Sequence, residues 1–289
     1  MNVLSLFDGM SCGQIALERI GINVSEYYAS EIDKNAIKIA QKNYPNTKQI
    51  GSVLDVSFFG MPKIDLLIGG SPCQGFSFAG KGLNFEDPRS KLFFEYVRVL
   101  NELKPKYFLL ENVKMSKESE DIISEYLDVK PIKINSSLVS AQNRKRLYWT
   151  NIPNIKEIDD KEIILDDIID KSIPFNQDKE KYSYNKKDFK KDSLCHHVGT
   201  ANFKGGQILK RVYSISGKCP TLTTISGGCQ QKKISDGKGR WRELTPNEYE
   251  LLQTVPLDYT KGVANSHRYT MLGNGWTVDI IAHIFKGLK

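Results

Sequence analysis

Short apolar strands alternate with stretches of helical spacing along the first half of the chain, and few folds accommodate that alternation. Asn2–Phe7 (NVLSLF), Tyr27–Ile32 (YYASEI), Asp65–Gly70 (DLLIGG) and Tyr107–Val113 (YFLLENV) read as strands. GQIALERIG, Lys34–Asn43 behind an Asp33 cap, and Lys91–Leu103 before Pro105 read as helices. Strand and helix in strict turn imply an α/β fold with a parallel sheet covered by helices on both faces. Ile132–Val139 and Arg144–Ile152 are further strand candidates.

Around Asn151 the pattern changes. The stretch to about Trp241 is polar, rich in Lys and Asp, and carries the pairs Gly205-Gly206 and Gly227-Gly228. It reads as a separate small domain of irregular structure. Regular signals return at Thr245, an N-cap followed by Pro246 at the first helical position and Glu248 at the third. An amphipathic helix over Val278–Leu288 ends the chain. A length of 289 residues suits one large domain with a smaller appendage.

Charge is uneven. Lys186–Arg240 holds twelve Lys/Arg against three Asp/Glu, a net of +9, whereas Asn151–Asn185 carries a net of −4. Concentrated positive charge points to a polyanionic partner, although a solvated lysine-rich surface has the same composition. No apolar run reaches the ~20 residues that span a bilayer, and MNVLSLFDGM lacks the basic flank of a signal peptide. Five scattered cysteines argue for reduced thiols and a cytoplasmic protein. Cys195, His196, His197, Cys219 and Cys229 fit no standard zinc spacing, so no metal is expected.

Four groups of residues carry chemistry. In FDGMSCG, Gly9 makes a turn between the first strand and helix, and Glu31 follows 22 residues on, where a carboxylate can accept ribose hydroxyls. This implies a nucleoside-bearing cofactor, with an ordinary tight turn as the alternative. In GGSPCQGFS, Cys73 follows a proline in a glycine-rich loop past a buried strand, a setting for a nucleophile; a buried structural cysteine is the alternative. Glu111 ends the next strand, where an unpartnered carboxyl group is costly. Gln142, Arg144 and Arg146 alternate in QNRKR, which on a strand would put all three on one face as an anion or base clamp.

FDGMSCG, SEID, GGSPCQGFS, LLENV, QNRKR, RWRELTPNEYELLQ and LGNGWTV together, in this order, resemble the C5-cytosine DNA methyltransferases. The likeness covers about residues 1–152 and 240–289. It implies a Rossmann-like S-adenosylmethionine-dependent methyltransferase sheet with a second, smaller target-recognition domain over residues 153–239. It further implies Cys73 as the thiolate that adds to cytosine C6, with Glu111, Arg144 and Arg146 as its catalytic partners. Phe7, Gly9, Gly13, Glu31, Ile32, Ser52, Pro72, Leu92 and Asn274 are the implied contacts to S-adenosylmethionine. Gln74, Ser77, Gln142, Thr221 and Leu222 are the implied contacts to double-stranded DNA, whose target base must be flipped out of the stack. A monomer that acts on DNA without a membrane is expected.

Two positions depart from the family pattern. Ser52 stands where the family commonly has an aspartate meeting the adenine amino group, and Gly275 replaces a small aliphatic residue. Two other functions share these motifs. One is an RNA (tRNA) cytosine methyltransferase, to which the long basic segment is less suited. The other is an inactive DNA-binding homologue, which would have no need of Cys73, Glu111, Arg144 and Arg146.

Overall fold

The computed structural model describes the chain except residues 59, 73–87, 176–183, 187–192, 204 and 226–229, and except the side chains of 88–90 and 186. The chain divides into two compact units. The first comprises Met1–Ile134, Lys145–Glu157 and Val278–Lys289; the second comprises Asn135–Arg144 and Ile158–Thr277.

The first unit opens with β1 (Asn2–Leu6), α1 (Cys12–Arg19), β2 (Glu26–Ser30), α2 (Lys34–Asn43), β3 (Lys48–Gln49) and β4 (Leu66–Gly69). It continues with α3 (Pro88–Leu103), β5 (Tyr107–Val113), α4 (Lys117–Leu127) and β6 (Ile132–Asn135). Past β7 (Gln142–Asn143), which belongs to the second unit, β8 (Lys145–Thr150) returns to the sheet. The seven strands lie in the order β3-β2-β1-β4-β5-β8-β6. β1 pairs in parallel with β2 and β4, and β4 with β5. The order reverses beside β1, the kind of switch point at which open parallel sheets bind ligands outside the strand carboxyl ends.

β8 corrects the expectation of a purely parallel sheet, because it runs antiparallel to β5 with Glu111 opposite Tyr148. Leu4, Leu6, Leu67, Phe93, Tyr96, Leu110 and Trp149 form a core in which each is fully buried. Asp33 caps α2 by accepting from the N–H groups of Asn35 and Ala36, as its sequence position predicts. Ser116 caps α4 in the same way, through Ser119 N–H.

The second unit contains the short helix α5 (Leu165–Ile168) and β9 (Tyr184–Lys186), β10 (His197–Ala201) and β11 (Arg211–Ser214). After β12 (Cys219–Pro220) come β13 (Lys233–Ser235), β14 (Arg242–Glu243), α6 (Pro246–Leu252) and α7 (Asn265–Asn274). The chain then returns to the first unit with α8 (Val278–Phe285), where Asp279 pairs with Arg19 of α1 at 2.6 Å.

The polar segment expected to be irregular holds a five-stranded sheet, β14-β13-β11-β10-β9. Its core is Tyr184, Ala201, Val212 and Trp241. Lys233 is also fully buried there, its ammonium 5.1 Å from the Phe203 ring centroid and 5.5 Å from that of Trp241. α6 begins with the predicted capping box: Thr245 accepts from Glu248 N–H, and the Glu248 carboxylate accepts from Thr245 N–H. The same carboxylate is held by Arg242 at 2.7 Å.

Candidate active site

In the first unit, the turn from β1 to α1 is held in an uncommon shape. Phe7, Gly9 and Ser11 all have left-handed backbones, with φ of 57°, 59° and 64°. Such a conformation costs a non-glycine residue about 1–3 kcal/mol and persists where its surroundings enforce it. Here the enforcing groups are carboxylates. Gly9 N–H donates to Glu31 Oε2 at 2.7 Å, and Ile32 and Asp33 N–H donate to Oε1 at 2.7 and 2.9 Å. Three donors leave this carboxylate one lone-pair direction free for a hydroxyl.

These residues fit an adenosine-bearing cofactor. A Cβ at Gly9 would meet nothing within 4 Å, so the turn is open to a ligand. Ile32 is 74% exposed beside the Glu31 carboxylate, an apolar side chain that a nucleobase could cover. Phe7 and Leu92 both pack against the core from partly buried positions. Gly13 has a different reason to be glycine: a Cβ there would lie 2.3 Å from Ile68 Cδ1. Its smallness lets α1 sit against β4. Ser52 uses its hydroxyl locally, accepting from Leu54 N–H at 3.2 Å.

At the carboxyl edge of the same sheet, Glu111 of β5 meets Arg146 of β8, with Arg146 Nε 2.9 Å from Glu111 Oε1 and each side chain 11% exposed. The neighbouring Asn112 donates through Nδ2 to the Ser71 hydroxyl at 3.3 Å. Ser71 is buried and Pro72 half-buried, so the chain leaving β4 is anchored to β5 at the residue next to Glu111. Cys73, Gln74 and Ser77 lie outside the described residues.

The expected common face of Gln142, Arg144 and Arg146 is not formed. The strand breaks at Arg144, whose N–H donates to Asn135 Oδ1 at 2.9 Å instead of entering a ladder. Gln142 pairs with Cys219 in a parallel two-stranded ribbon, and only Arg146 lies opposite β5.

In the second unit, Arg144 and Gln142 are buried and their side chains serve the backbone. The Arg144 guanidinium donates to the carbonyls of Leu222, Gly273 and Gly275 at 3.0–3.2 Å. Gln142 Oε1 accepts from Leu222 N–H at 3.0 Å, and its Nε2 donates to Leu252 O at 3.0 Å. Thr221 donates to Asn143 O at 2.7 Å, and Leu222 is buried. Gly273 lets α7 touch this segment: a Cβ there would lie 2.5 Å from the Thr223 backbone. Asn274 itself is exposed. The alternation in QNRKR gave no hint that two of its three polar side chains hold carbonyls together.

The basic segment divides likewise. Lys218 is buried and donates to the carbonyls of Ser137, Ile163 and Ser140. Burial lowers the Lys218 and Lys232 ammonium pKa values. Lys218 and Lys233, two of the twelve cations, therefore serve the interior, and Lys232 is half-buried. Arg211 and Lys238 are exposed, and Lys210 and Arg240 half-exposed. Burial pushes the Cys219 and Cys195 thiols up, which keeps them protonated. Among the described residues no three His, Cys, Asp or Glu side chains are grouped to hold a metal, and Cys229 lies outside them. No helix among them is long and apolar enough to cross a membrane.

A model of the C-5 cytosine-specific DNA methylase family matches residues 1–289. The chain belongs to this family. The family uses S-adenosylmethionine as methyl donor, a ligand that the open turn at Gly9 and the fixed Glu31 carboxylate suit. The chain is 29% identical over 283 residues to the orphan methyltransferase M.SPRI of Bacillus phage SPR, covering 78% of this chain and 64% of that one. It is 38% identical over 161 residues to the orphan methyltransferase M.Rho11sI of Bacillus phage rho11s, covering 51% and 32%. The chain thus spans less than two-thirds of the length of either relative. Its fold is that of the Entamoeba histolytica methyltransferase EhMeth, with a TM-score of 0.74 at 21% identity over 100% of this chain and 99% of that one.

Proposed function

We propose that the methylase transfers a methyl group to C5 of a cytosine flipped out of duplex DNA, through a covalent bond between Cys73 and C6. The observation that supports this best is the Glu111–Arg146 pair at 2.9 Å, on the strand whose Asn112 anchors Ser71, two residues before Cys73. A carboxyl group so placed can meet the ring N3 while the thiolate adds at C6. Arg146 fixes the orientation of that carboxyl group, since a planar guanidinium holds one geometry where a lysine would not. Addition of sulfur makes C5 nucleophilic, and S-adenosylmethionine supplies the electrophilic methyl group. Loss of the C5 proton and expulsion of the thiolate then restore the aromatic ring and regenerate Cys73.

We assign this chemistry to residues 1–152 and 240–289 and target recognition to 153–239. Phe7, Gly9, Glu31, Ile32, Pro72, Leu92 and Asn274 are assigned to the cofactor. Gln142, Arg144 and Leu222 are assigned an indirect part, because each is buried and spent on backbone groups. Direct contacts to DNA are assigned to the tip between β10 and β11. Asn202, Gln207, Ile208 and Arg211 are all exposed there, and no acidic residue occurs between Asp192 and Asp236. Amides can read adenine edges, an apolar side chain can meet a thymine methyl, and arginine can neutralise phosphate. The Bacillus phage relatives are named orphan methyltransferases, which supports methyl transfer as the reaction.

Incubation with methyl-labelled S-adenosylmethionine and either duplex DNA or tRNA tests it. Label is expected in 5-methylcytosine of the duplex; label in tRNA alone would overturn the choice of substrate.

A further inference from the structure

The turn that presents Gly9 carries a second carboxylate for which the chemistry above has no use. Asp8 Oδ1 accepts from the Tyr27 hydroxyl at 2.8 Å, and Oδ2 accepts from the Ser11 hydroxyl. Ser11 Oγ accepts in turn from Gln14 Nε2, which also donates to Thr47 Oγ1 at 2.8 Å. Tyr27 and Ser11 are buried, so the carboxyl group is aimed by side chains that cannot swing away. The largest influences on the Asp8 carboxyl group are its burial, the hydroxyls of Ser11, Ser5 and Tyr27 and the Glu31 carboxylate, and none of these is a cation. Two carboxylates therefore flank Gly9, held by neutral donors. A site of this kind favours a positively charged ligand.

We propose that Asp8 makes this turn selective for ligand charge, so that the sulfonium of S-adenosylmethionine binds more tightly than the neutral thioether of S-adenosylhomocysteine. The proposal rests on the assignment of the Gly9–Glu31 turn to the cofactor. Substrate and product share the adenosine and the amino acid and differ by one methyl group and one positive charge. Hydrogen bonds to the shared parts cannot tell them apart, whereas a fixed anion nearby can. Preference for the charged form would help the product leave once the methyl group is transferred.

The preference carries its own pH dependence. Desolvation raises the Asp8 carboxyl pKa to about 6, against the opposing pull of the Ser11, Ser5 and Tyr27 hydroxyls. Asp8 is anionic well above that pH and neutral well below it, so discrimination is present at pH 8 and fades as pH falls through 6. The sulfonium lowers the pKa of the nearby ligand amino group, so the two ligands titrate differently by themselves; that contribution is common to the wild type and Asp8→Asn and cancels when their profiles are compared.

Titration calorimetry of the full chain with each ligand, between pH 5 and 8, measures the ratio of the two Kd values. For the wild type it is expected to favour S-adenosylmethionine about three- to tenfold more at pH 8 than at pH 5, the size of a screened charge–charge interaction across several ångströms. Asp8→Asn should lower the pH 8 ratio by that factor and flatten the profile. An Asp8→Asn protein that weakens both ligands equally and keeps the wild-type ratio would reduce Asp8 to a scaffold and overturn the proposal. Should that variant not fold, a wild-type ratio that does not change between pH 5 and 7, where the ligand amino groups stay protonated, overturns it equally. Failure of the wild type to bind either ligand would instead remove the cofactor assignment beneath it.

Discussion

Arg146 Nε stands 2.9 Å from Glu111 Oε1, with both side chains about nine-tenths buried. Such a pair is worth little relative to an apolar replacement of both members, but removing one member strands the other charge. Its retention in a strand interior therefore points to chemistry before stability.

Glu111→Gln should lower the methylation rate at least 100-fold, the scale of a lost general-acid contribution, while duplex binding stays within a few-fold. Arg146→Leu should do the same and also destabilise the fold by about 3–5 kcal/mol, because it takes the guanidinium away from a largely buried carboxylate. Single-turnover kinetics and thermal melts separate the two effects. Full activity in Glu111→Gln would remove this carboxyl group from the mechanism.

Gly13→Ala should cost about 1–3 kcal/mol of stability, since its Cβ would sit 2.3 Å from Ile68 Cδ1. Pairing it with Ile68→Val, which deletes that Cδ1 methyl, should return part of the loss. Additive destabilisation in the double variant would show that the crowding lies elsewhere.

Gln142→Leu should lose about 1–3 kcal/mol, because Leu222 N–H would then be buried without its partner. Weaker DNA binding should follow the loss of stability. A large fall in DNA affinity with an unchanged melting temperature would make Gln142 a direct contact instead.

The slope of log affinity against log salt should be steep, and Arg211→Ala should reduce its magnitude by about one. Lys233→Met should leave the slope unchanged and lower stability, because that ammonium lies in the core between Phe203 and Trp241. Equal effects from the two substitutions would mean that the buried and exposed cations are not functionally distinct.

How much of this could be read in advance depends on whether a segment's periodicity and its packing agree. Lys34–Asn43 and Tyr107–Val113 are found within the bounds their patterns predict, because a capped helix and a buried strand report their own environment. Lys117–Leu127 carries a helix start that the strand–helix alternation alone does not reveal: Ser116 with Glu118 and Glu120 behind it. The sheet of the central segment was hidden by strands of two to five residues and by a lysine in its core. At the candidate site, Glu111 could be found because a carboxyl group on an apolar strand needs an explanation. The separation of Arg144 from Arg146 could not, since it hangs on Asn135 Oδ1 capturing one N–H. Asp8 passed as part of a glycine turn because its partners Tyr27 and Ser11 come together only in the fold.

The central claim is the sulfur–carbon bond, and duplex DNA carrying 5-fluorocytosine tests it most directly, since fluorine at C5 cannot leave as a proton and the adduct is held. With S-adenosylmethionine present, the wild type should give a denaturation-resistant protein–DNA complex whose cross-linked peptide contains Cys73, and Cys73→Ala should give none. A trapped complex persisting in Cys73→Ala, or methylated unmodified duplex produced by that variant, would contradict the account.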